Sequence, residues 1–133
     1  MKIAKPLISA IIVAYKSEKF INNCIESLKT SAKHAHIPIE IILVINDSKN
    51  KDYRLPKVKI IKNRINIGFA RGNNIGAKVV KGEWLLFINP DTETHILAIK
   101  NLLKHINDSN LGIIAPKLLN ADGTLQYSIS NPP

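Results

Sequence analysis

Four short apolar runs constrain the fold of this chain more than any other feature of its sequence. They are LISAIIVAY (7–15), IEIILVIN (39–46), VKIIKN (58–63) and EWLLFIN (83–89). A strand with one face in water alternates apolar with polar residues, whereas the first two runs are apolar on both faces, which is typical of parallel strands covered on both sides. We therefore expect the four runs to be strands of one buried sheet.

A segment of helical period follows the first run. Over residues 17–35, apolar side chains recur on one face of a predicted helix, and Ser17 is placed to cap its N-terminus. The side chains on that face are Phe20, Ile21, Cys24, Ile25, Leu28 and Ala32. This change of period from strand to helix predicts that the helix covers one face of the sheet.

Two further helices and a hairpin are predicted downstream. The second helix runs from about Phe69 to Lys81, with Gly82 as its C-terminal glycine. The third is predicted from apolar residues at helical spacing, Ile96, Ile99, Leu103 and Ile106. The stretch LGIIAPKLLNADGTLQY (111–127) predicts a strand and then a hairpin around Ala121-Asp122-Gly123. This order of elements predicts an open, mostly parallel α/β sheet flanked by helices.

Composition bounds the partners and the compartment without deciding the fold. With 133 residues, the chain has the length of one domain with a real core. Its formal net charge of +9 favours anionic partners such as nucleotide phosphates, nucleic acid or an acidic lipid surface, but solvated lysines that keep a domain in solution explain it equally well. The single cysteine, Cys24, cannot form an intramolecular disulfide, which is typical of a reducing, cytoplasmic compartment. The N-terminal apolar run is interrupted by Ser9 and Tyr15 and is too short to span a membrane.

Polar clusters follow three of the predicted strands. They are Tyr15-Lys16-Ser17, Asn46-Asp47-Ser48 and Asn89-Pro90-Asp91-Thr92-Glu93. Ligands of open parallel sheets bind beyond the carboxyl ends of the strands, where these clusters lie. The sequence contains neither the G-x-G-x-x-G pattern nor a P-loop, so a nucleotide diphosphate bound there needs another source of positive charge. Arg71, and Asp91 with a bound Mg²⁺ or Mn²⁺, are the candidates.

Three glycines, Gly68, Gly72 and Gly76, recur every four residues along the second predicted helix. A helix that carries them presents a stripe without side chains, at a cost of about 1 kcal/mol for each glycine relative to alanine. Two explanations stay open. The stripe lets a ligand approach, with Asn73, Asn74 and the helix N-terminus beside it, or it lets the helix pack closely on the sheet.

Four stretches together resemble one family. They are IIVAYKSEKFINNCIESL (11–28), NIGFARGNNIGA (66–77), WLLFINPDTE (84–93) and APKLLNADGTLQYS (115–128). In this order, over almost the whole chain, they resemble the donor-binding half of the inverting family 2 glycosyltransferases with the GT-A fold. The Asn-Pro-Asp sequence, in place of the common Asp-x-Asp, is typical of the rhamnosyltransferase-like subgroup. The resemblance implies a dTDP- or UDP-sugar donor and a divalent metal, Mg²⁺ or Mn²⁺.

The resemblance also implies roles for individual residues. Tyr15 would line the pocket of the nucleotide base, and Asp47 would accept the imide N–H of uracil or thymine, although plain turn chemistry is an alternative for Asp47. Asp91 would be the metal ligand, with Thr92 and Glu93 either supporting it or capping the next helix. The full set of expected nucleotide-binding residues is Val13, Tyr15, Asn46, Asp47, Gly68, Arg71, Asn74 and Asn89.

The family implies more than this chain supplies. Its later half carries the acceptor site and a carboxylate that acts as catalytic base, and no residue here can be assigned to that role. We expect an incomplete domain over residues 1–133 that binds a nucleotide sugar for transfer to a glycan or lipid-linked acceptor. We also expect peripheral membrane association at the inner face of the membrane, and self-association through apolar surface around Ile113, Ile114, Leu118 and Leu119.

Two other functional hypotheses stay open. One is a catalytically silent nucleotide-binding module that regulates or scaffolds a partner. The other is a basic module that binds nucleic acid, which is disfavoured because only 5% of residues are aromatic and no stacking platform is recognisable. We therefore expect no nucleic-acid partner.

Overall fold

The computed structural model describes residues 7–47, 53 and 55–127. In chain order, its elements are β1 (Ile8–Ala14), α1 (Glu18–His34), β2 (Ile39–Ile45), β3 (Val58–Lys62), α2 (Phe69–Ala77), β4 (Trp84–Ile88) and α3 (Ala98–Leu103). Each of the four predicted apolar runs forms a strand, and each strand end lies within one residue of its predicted position.

The four strands form one parallel sheet in the order β3-β2-β1-β4. All seven residues of the central strand β1 are buried, as expected for a strand covered on both faces. The register pairs Ala14 of β1 with Ile45 of β2, and Ile12 of β1 with Ile88 of β4. The prediction of an open, mostly parallel α/β sheet flanked by helices is thus confirmed.

Helices cover the two faces of the sheet unequally. On one face, Ile25 and Leu28 of α1 and Ile99 of α3 pack with the β1 and β2 side chains that point toward them. On the other face, α2 packs against Ile11, Val13, Ile42 and Val44. Phe20, predicted to share the buried face of α1, is instead 40% exposed, because it lies in the first turn at the edge of the apolar stripe.

The second helix is shorter than predicted. α2 ends at Ala77, and Val79 and Val80 leave the helix to pack into the core on its side of the sheet. Gly82 is therefore not a helix cap. It donates its N–H to Oγ of Ser9 at 2.8 Å, and a Cβ at Gly82 would lie 2.6 Å from the backbone nitrogen of Ser9. The glycine is needed because the chain entering β4 passes directly against β1.

The third helix is also shorter than predicted. α3 covers only six residues, so Ile96 and Ile106 lie outside it. Its N-cap is Leu97, with no side-chain cap, so neither Thr92 nor Glu93 caps this helix.

The segment after α3 carries little regular structure. Within the described part of 111–127, no strand forms, and the predicted hairpin is reduced to one antiparallel bridge between Leu119 and Leu125. Gly123, with a φ of 83°, allows the turn between them. The predicted strand is wrong because no neighbouring strand pairs with it, and Ile113 there is 90% exposed.

Strand β4 has one uncovered face. Its residues Trp84, Leu86 and Ile88 pack toward the α1 side. Leu85 and Phe87 point to the other side and are 42% and 53% exposed, because α2 packs on β1 and β2 and does not extend over β4. The edge of the sheet at β4 therefore presents apolar side chains to solvent.

Candidate functional site

The carboxyl ends of the strands bring the predicted polar residues to one edge of the sheet. β1 and β2 end side by side, and the backbone N–H of Asn46 extends their pairing by donating to the carbonyl of Ala14 at 2.8 Å. β4 runs parallel on the other side of β1, so Asn89 and Asp91 follow it in the same direction. A parallel sheet places these ends together, as the sequence predicted.

Tyr15 lies at this edge, directly after β1, and 45% of its surface is exposed. The ammonium of Lys16 lies 5.2 Å from the centre of its ring, and Ser17 donates from Oγ to the carbonyl of Tyr15 at 2.8 Å. The tyrosine ring is thus available for stacking beside a positive charge. Val13, also predicted to bind the nucleotide, has its side chain buried on the α2 side, where it can support the edge from below.

Asp47 is half-buried just after β2, and Ser48 of the same predicted cluster lies outside the described residues. Close to it is Tyr53, which the sequence did not single out. Burial raises the pKa of the Tyr53 phenol, and the negative charges of Glu18 and Asp47 raise it further. Tyr53 therefore lies near the carboxylates of Glu18 and Asp47.

Asn46 is enclosed rather than open to a ligand. It is 1% exposed, its Nδ2 donates to the carbonyl of Gly68 at 3.0 Å, and its Oδ1 accepts from Nδ2 of Asn63 at 2.7 Å. The sequence did not single out Asn63, although its position directly after β3 could have revealed it by the same argument that was applied to the other strand ends. The side chain of Asn46 therefore links three segments of the edge.

The N-terminal turn of α2 supplies the cationic and amide groups expected from the sequence. Gly68 is its N-cap, with a φ of 86° and no atom within 4 Å of the position that a Cβ would take. Arg71 and Asn74 are exposed on the helix. Asn73 is instead buried and donates from Nδ2 to the carbonyl of Phe69 at 3.2 Å, so it stabilises the helix itself.

The glycine stripe is split between the two explanations left open by the sequence. Gly72 and Gly76 face the sheet, where a Cβ would lie 2.7 Å from Cγ1 of Val13 and 2.6 Å from Cγ2 of Ile11, respectively. Gly68 faces open space. Two of the glycines thus serve close packing of helix on sheet, and the third leaves the edge accessible.

Asp91 lies in the turn after β4, where the N–H of Thr92 donates to the carbonyl of Asn89 at 3.1 Å. Asn89 and Asp91 are both exposed. The thiol of Cys24, which the sequence did not assign to the site, donates to the same carbonyl at 3.5 Å. Burial raises the pKa of this thiol to about 11, and the charge of Asp91 contributes in the same direction. The protonated thiol therefore supports the turn that presents Asp91.

The residues present fit a metal ion that substrate phosphates would help to coordinate. Within the described residues, no group of three or more histidine, cysteine, aspartate or glutamate side chains could hold a metal ion. Mg²⁺ needs only one or two protein carboxylates when substrate phosphates and waters complete its coordination, and the exposed Asp91 can supply one.

Comparisons with known proteins find a family model and relatives that match most of this chain. A family model for glycosyl transferase family 2 matches residues 9–128. The chain is 34% identical over 92 residues to an uncharacterized glycosyltransferase of Haemophilus influenzae, in an alignment covering 64% of this chain and 29% of that protein. It is 29% identical over 124 residues to the low-salt glycan biosynthesis hexosyltransferase Agl10 of Haloferax volcanii, which covers 87% of this chain and 38% of that protein. The chain therefore spans 29% to 38% of the length of these two relatives.

A solved structure has the same fold. The crystal structure of S. aureus TarS 1–349 superposes with a TM-score of 0.62 at 22% identity, covering 77% of this chain and 33% of that one.

Within residues 7–47, 53 and 55–127 of this chain, no helix combines the length and the apolar composition that a transmembrane segment requires.

Proposed function

This chain belongs to glycosyl transferase family 2, and from that premise we propose that it forms the nucleotide-sugar-binding part of a glycosyltransferase. Its sheet and helices are of the GT-A type. The donor in this proposal is a dTDP- or UDP-sugar, and the full enzyme transfers the sugar to a glycan or lipid-linked acceptor. The Asn-Pro-Asp sequence ending at Asp91 favours the rhamnosyltransferase-like subgroup.

The observation that carries the proposal is the convergence of four unlike groups at one edge of the sheet. Tyr15 offers a ring for stacking, Asp47 a carboxylate, Arg71 a guanidinium and Asp91 a second carboxylate. A nucleotide sugar presents a flat base, a charged diphosphate and a hydroxylated sugar, and these groups match the first two of its parts. No other described edge of the molecule collects the same variety of groups after strand ends.

The proposed contacts follow from the chemistry of each side chain. The oxygens of Asp47 can accept the imide N–H of uracil or thymine, a donor that adenine lacks at the corresponding position. The first N–H groups of α2, which have no carbonyl partner within the helix, and the charge of Arg71 attract the diphosphate. A divalent ion at Asp91 would neutralise the departing diphosphate when it is bound.

Location and assembly are part of the same proposal. We place the protein in the cytoplasm at the inner face of the membrane, where its basic surface would bring it to lipid-linked acceptors. The formal charge of +9 supports this location. Ile113, Leu118 and Leu119 are exposed, Ile114 is half-buried, and this apolar surface supports self-association.

The experiment that tests the proposal is calorimetric titration of the protein with dTDP, UDP and ADP, each with and without Mn²⁺. We expect dTDP or UDP to bind more tightly than ADP and to bind more tightly with the metal. Equal affinity for the three nucleotides, or none for any, contradicts the proposal.

A transfer assay with dTDP-rhamnose and UDP-sugar donors then separates an enzyme from a silent binding module. We expect donor binding by the chain but no useful rate of transfer, because none of its residues is proposed as the general base, and the lack of such a base typically costs about 100- to 10,000-fold in rate. Robust multiple-turnover transfer by the 133-residue chain would show that one of its own carboxylates acts as the base.

A further inference from the structure

A pair of buried or half-buried asparagines joins four segments beneath the proposed donor site. Asn46, after β2, donates to the carbonyl of Gly68 at the start of α2 and accepts from Asn63, after β3. Its backbone N–H donates to Ala14 at the end of β1. The same carbonyl of Gly68 also accepts the N–H of Gly72, the first bond within α2. The amide of Asn46 therefore holds the entry to α2 against the ends of the strands.

The chemistry of the partners fixes the orientation of this amide. A backbone carbonyl can only accept, so the group that faces Gly68 must be a donor, Nδ2. Oδ1 then faces Asn63, whose own Nδ2 donates to it. Space around the amide is limited, since a Cβ at Gly72 would lie 3.3 Å from Nδ2 of Asn46. A side chain of the same shape but without a donor cannot make the bond to Gly68.

We propose that Asn46 is a positioning residue for the donor and does not contact it. On the basis of the proposed function, the Nδ2 bond to Gly68 holds the first turn of α2, with Arg71, where the diphosphate binds. Asn46 is 1% exposed and both ends of its amide bind protein groups, so contact with a ligand would break the bonds that define the edge. The specific requirement is a hydrogen-bond donor at this buried position.

The variant Asn46→Asp tests the requirement with a side chain of the same shape. The ionised carboxylate keeps the acceptor for Asn63 but turns an anionic oxygen toward the carbonyl of Gly68. Burial and that carbonyl both favour the neutral acid, whose O–H restores the donor as the pH falls. We expect dTDP affinity at least tenfold below that of the wild type at pH 8, and within threefold of it at pH 5.5.

The matched control is Asn66→Asp. Asn66 is exposed and its Oδ1 accepts the N–H of Gly68 at 2.9 Å, a role that a carboxylate keeps. Because it adds a carboxylate near the proposed diphosphate site without removing a donor, we expect this variant to lose no more than about threefold in dTDP affinity at either pH, a smaller deficit than that of Asn46→Asp at pH 8. A deficit in Asn46→Asp that is equal at pH 8 and pH 5.5, or no deficit at all, overturns the inference.

Hydrogen exchange without nucleotide separates this inference from the proposed function. Relative to the wild type at the same pH, Asn46→Asp should speed exchange of the Gly72 N–H, which donates to the carbonyl of Gly68, at pH 8 and not at pH 5.5. If that pattern holds while the wild type binds no nucleotide, the proposed function fails and the hydrogen-bond requirement stands. If the variant folds at pH 5.5 and not at pH 8, the requirement is supported, whereas failure to fold at both pH values contradicts it.

Discussion

The substitution Gly76→Val tests how closely α2 packs on the sheet. A Cβ at Gly76 would lie 2.6 Å from Cγ2 of Ile11, whereas an ordinary contact between such atoms is 3.4 to 4 Å. Ile11 is fully buried in the central strand and has no room to withdraw. The helix must therefore move outward by the better part of an ångström, and valine adds two further methyl groups at the same point.

Two opposing contributions set the expected change in the free energy of unfolding. Overpacking of this kind costs about 1 to 3 kcal/mol. Replacing glycine by valine in a helix returns only a few tenths of a kcal/mol, roughly, through propensity. The net loss should lower the melting temperature of a chain of this size by about 5 to 10 °C.

Thermal unfolding followed by circular dichroism measures this loss. Gly112→Ala is the control, because a Cβ at Gly112 meets no atom within 4 Å, and its melting temperature should stay within about 2 °C of the wild type. A Gly76→Val protein as stable as the wild type would show that α2 is not held by close contact with β1, and the packing argument would fail.

Three further outcomes are expected. Asp91→Asn should abolish most of the Mn²⁺ enhancement of dTDP binding while the melting temperature without ligand stays unchanged; equal enhancement in both proteins would remove Asp91 from the site. Asp47→Ala should weaken dTDP or UDP more than ADP in competition titrations, and an equal loss for all three would leave Asp47 as a turn residue only. The pKa of the Cys24 thiol is raised from 9.0 to about 11, so the folded state favours the protonated form; the stability that this provides is present below pH 9 and is lost as the pH rises toward 11. Cys24 should accordingly resist alkylation at pH 8 until the protein is unfolded by urea, and rapid alkylation of the folded protein would contradict its burial.

The strands and the class of fold followed from the sequence. An apolar run such as 39–46 can be buried on both sides only in a sheet covered by helices, so its local composition was enough to predict β2. The predicted polar residues Asp47 and Asp91 lie at the common edge for the same reason, since parallel strands end in one direction. The family was also identified from the sequence, and the match over residues 9–128 confirms it.

The ends of the helices did not follow from the sequence. Periodicity extended α2 to Lys81, but the helix ends at Ala77, and Val79 and Val80 pack beyond it into the core on the same side of the sheet. The sequence predicted Gly82 as a helix cap. A glycine is instead required there because the backbone of Ser9, 73 residues away in the chain, lies directly against it. A strand was predicted after Leu111 although the described sheet offers it no partner.

Only the tertiary structure determines which asparagine side chains are buried in hydrogen bonds and which are exposed. In the sequence, Asn46 and Asn74 are equal candidates for a ligand, and Asn63 attracts no notice. The fold buries Asn46 between Asn63 and Gly68, which lie 17 and 22 residues along the chain, and leaves Asn74 exposed. An amide has the same donor and acceptor everywhere, so its role depends on which distant groups the packing of β2, β3 and α2 brings within hydrogen-bond distance.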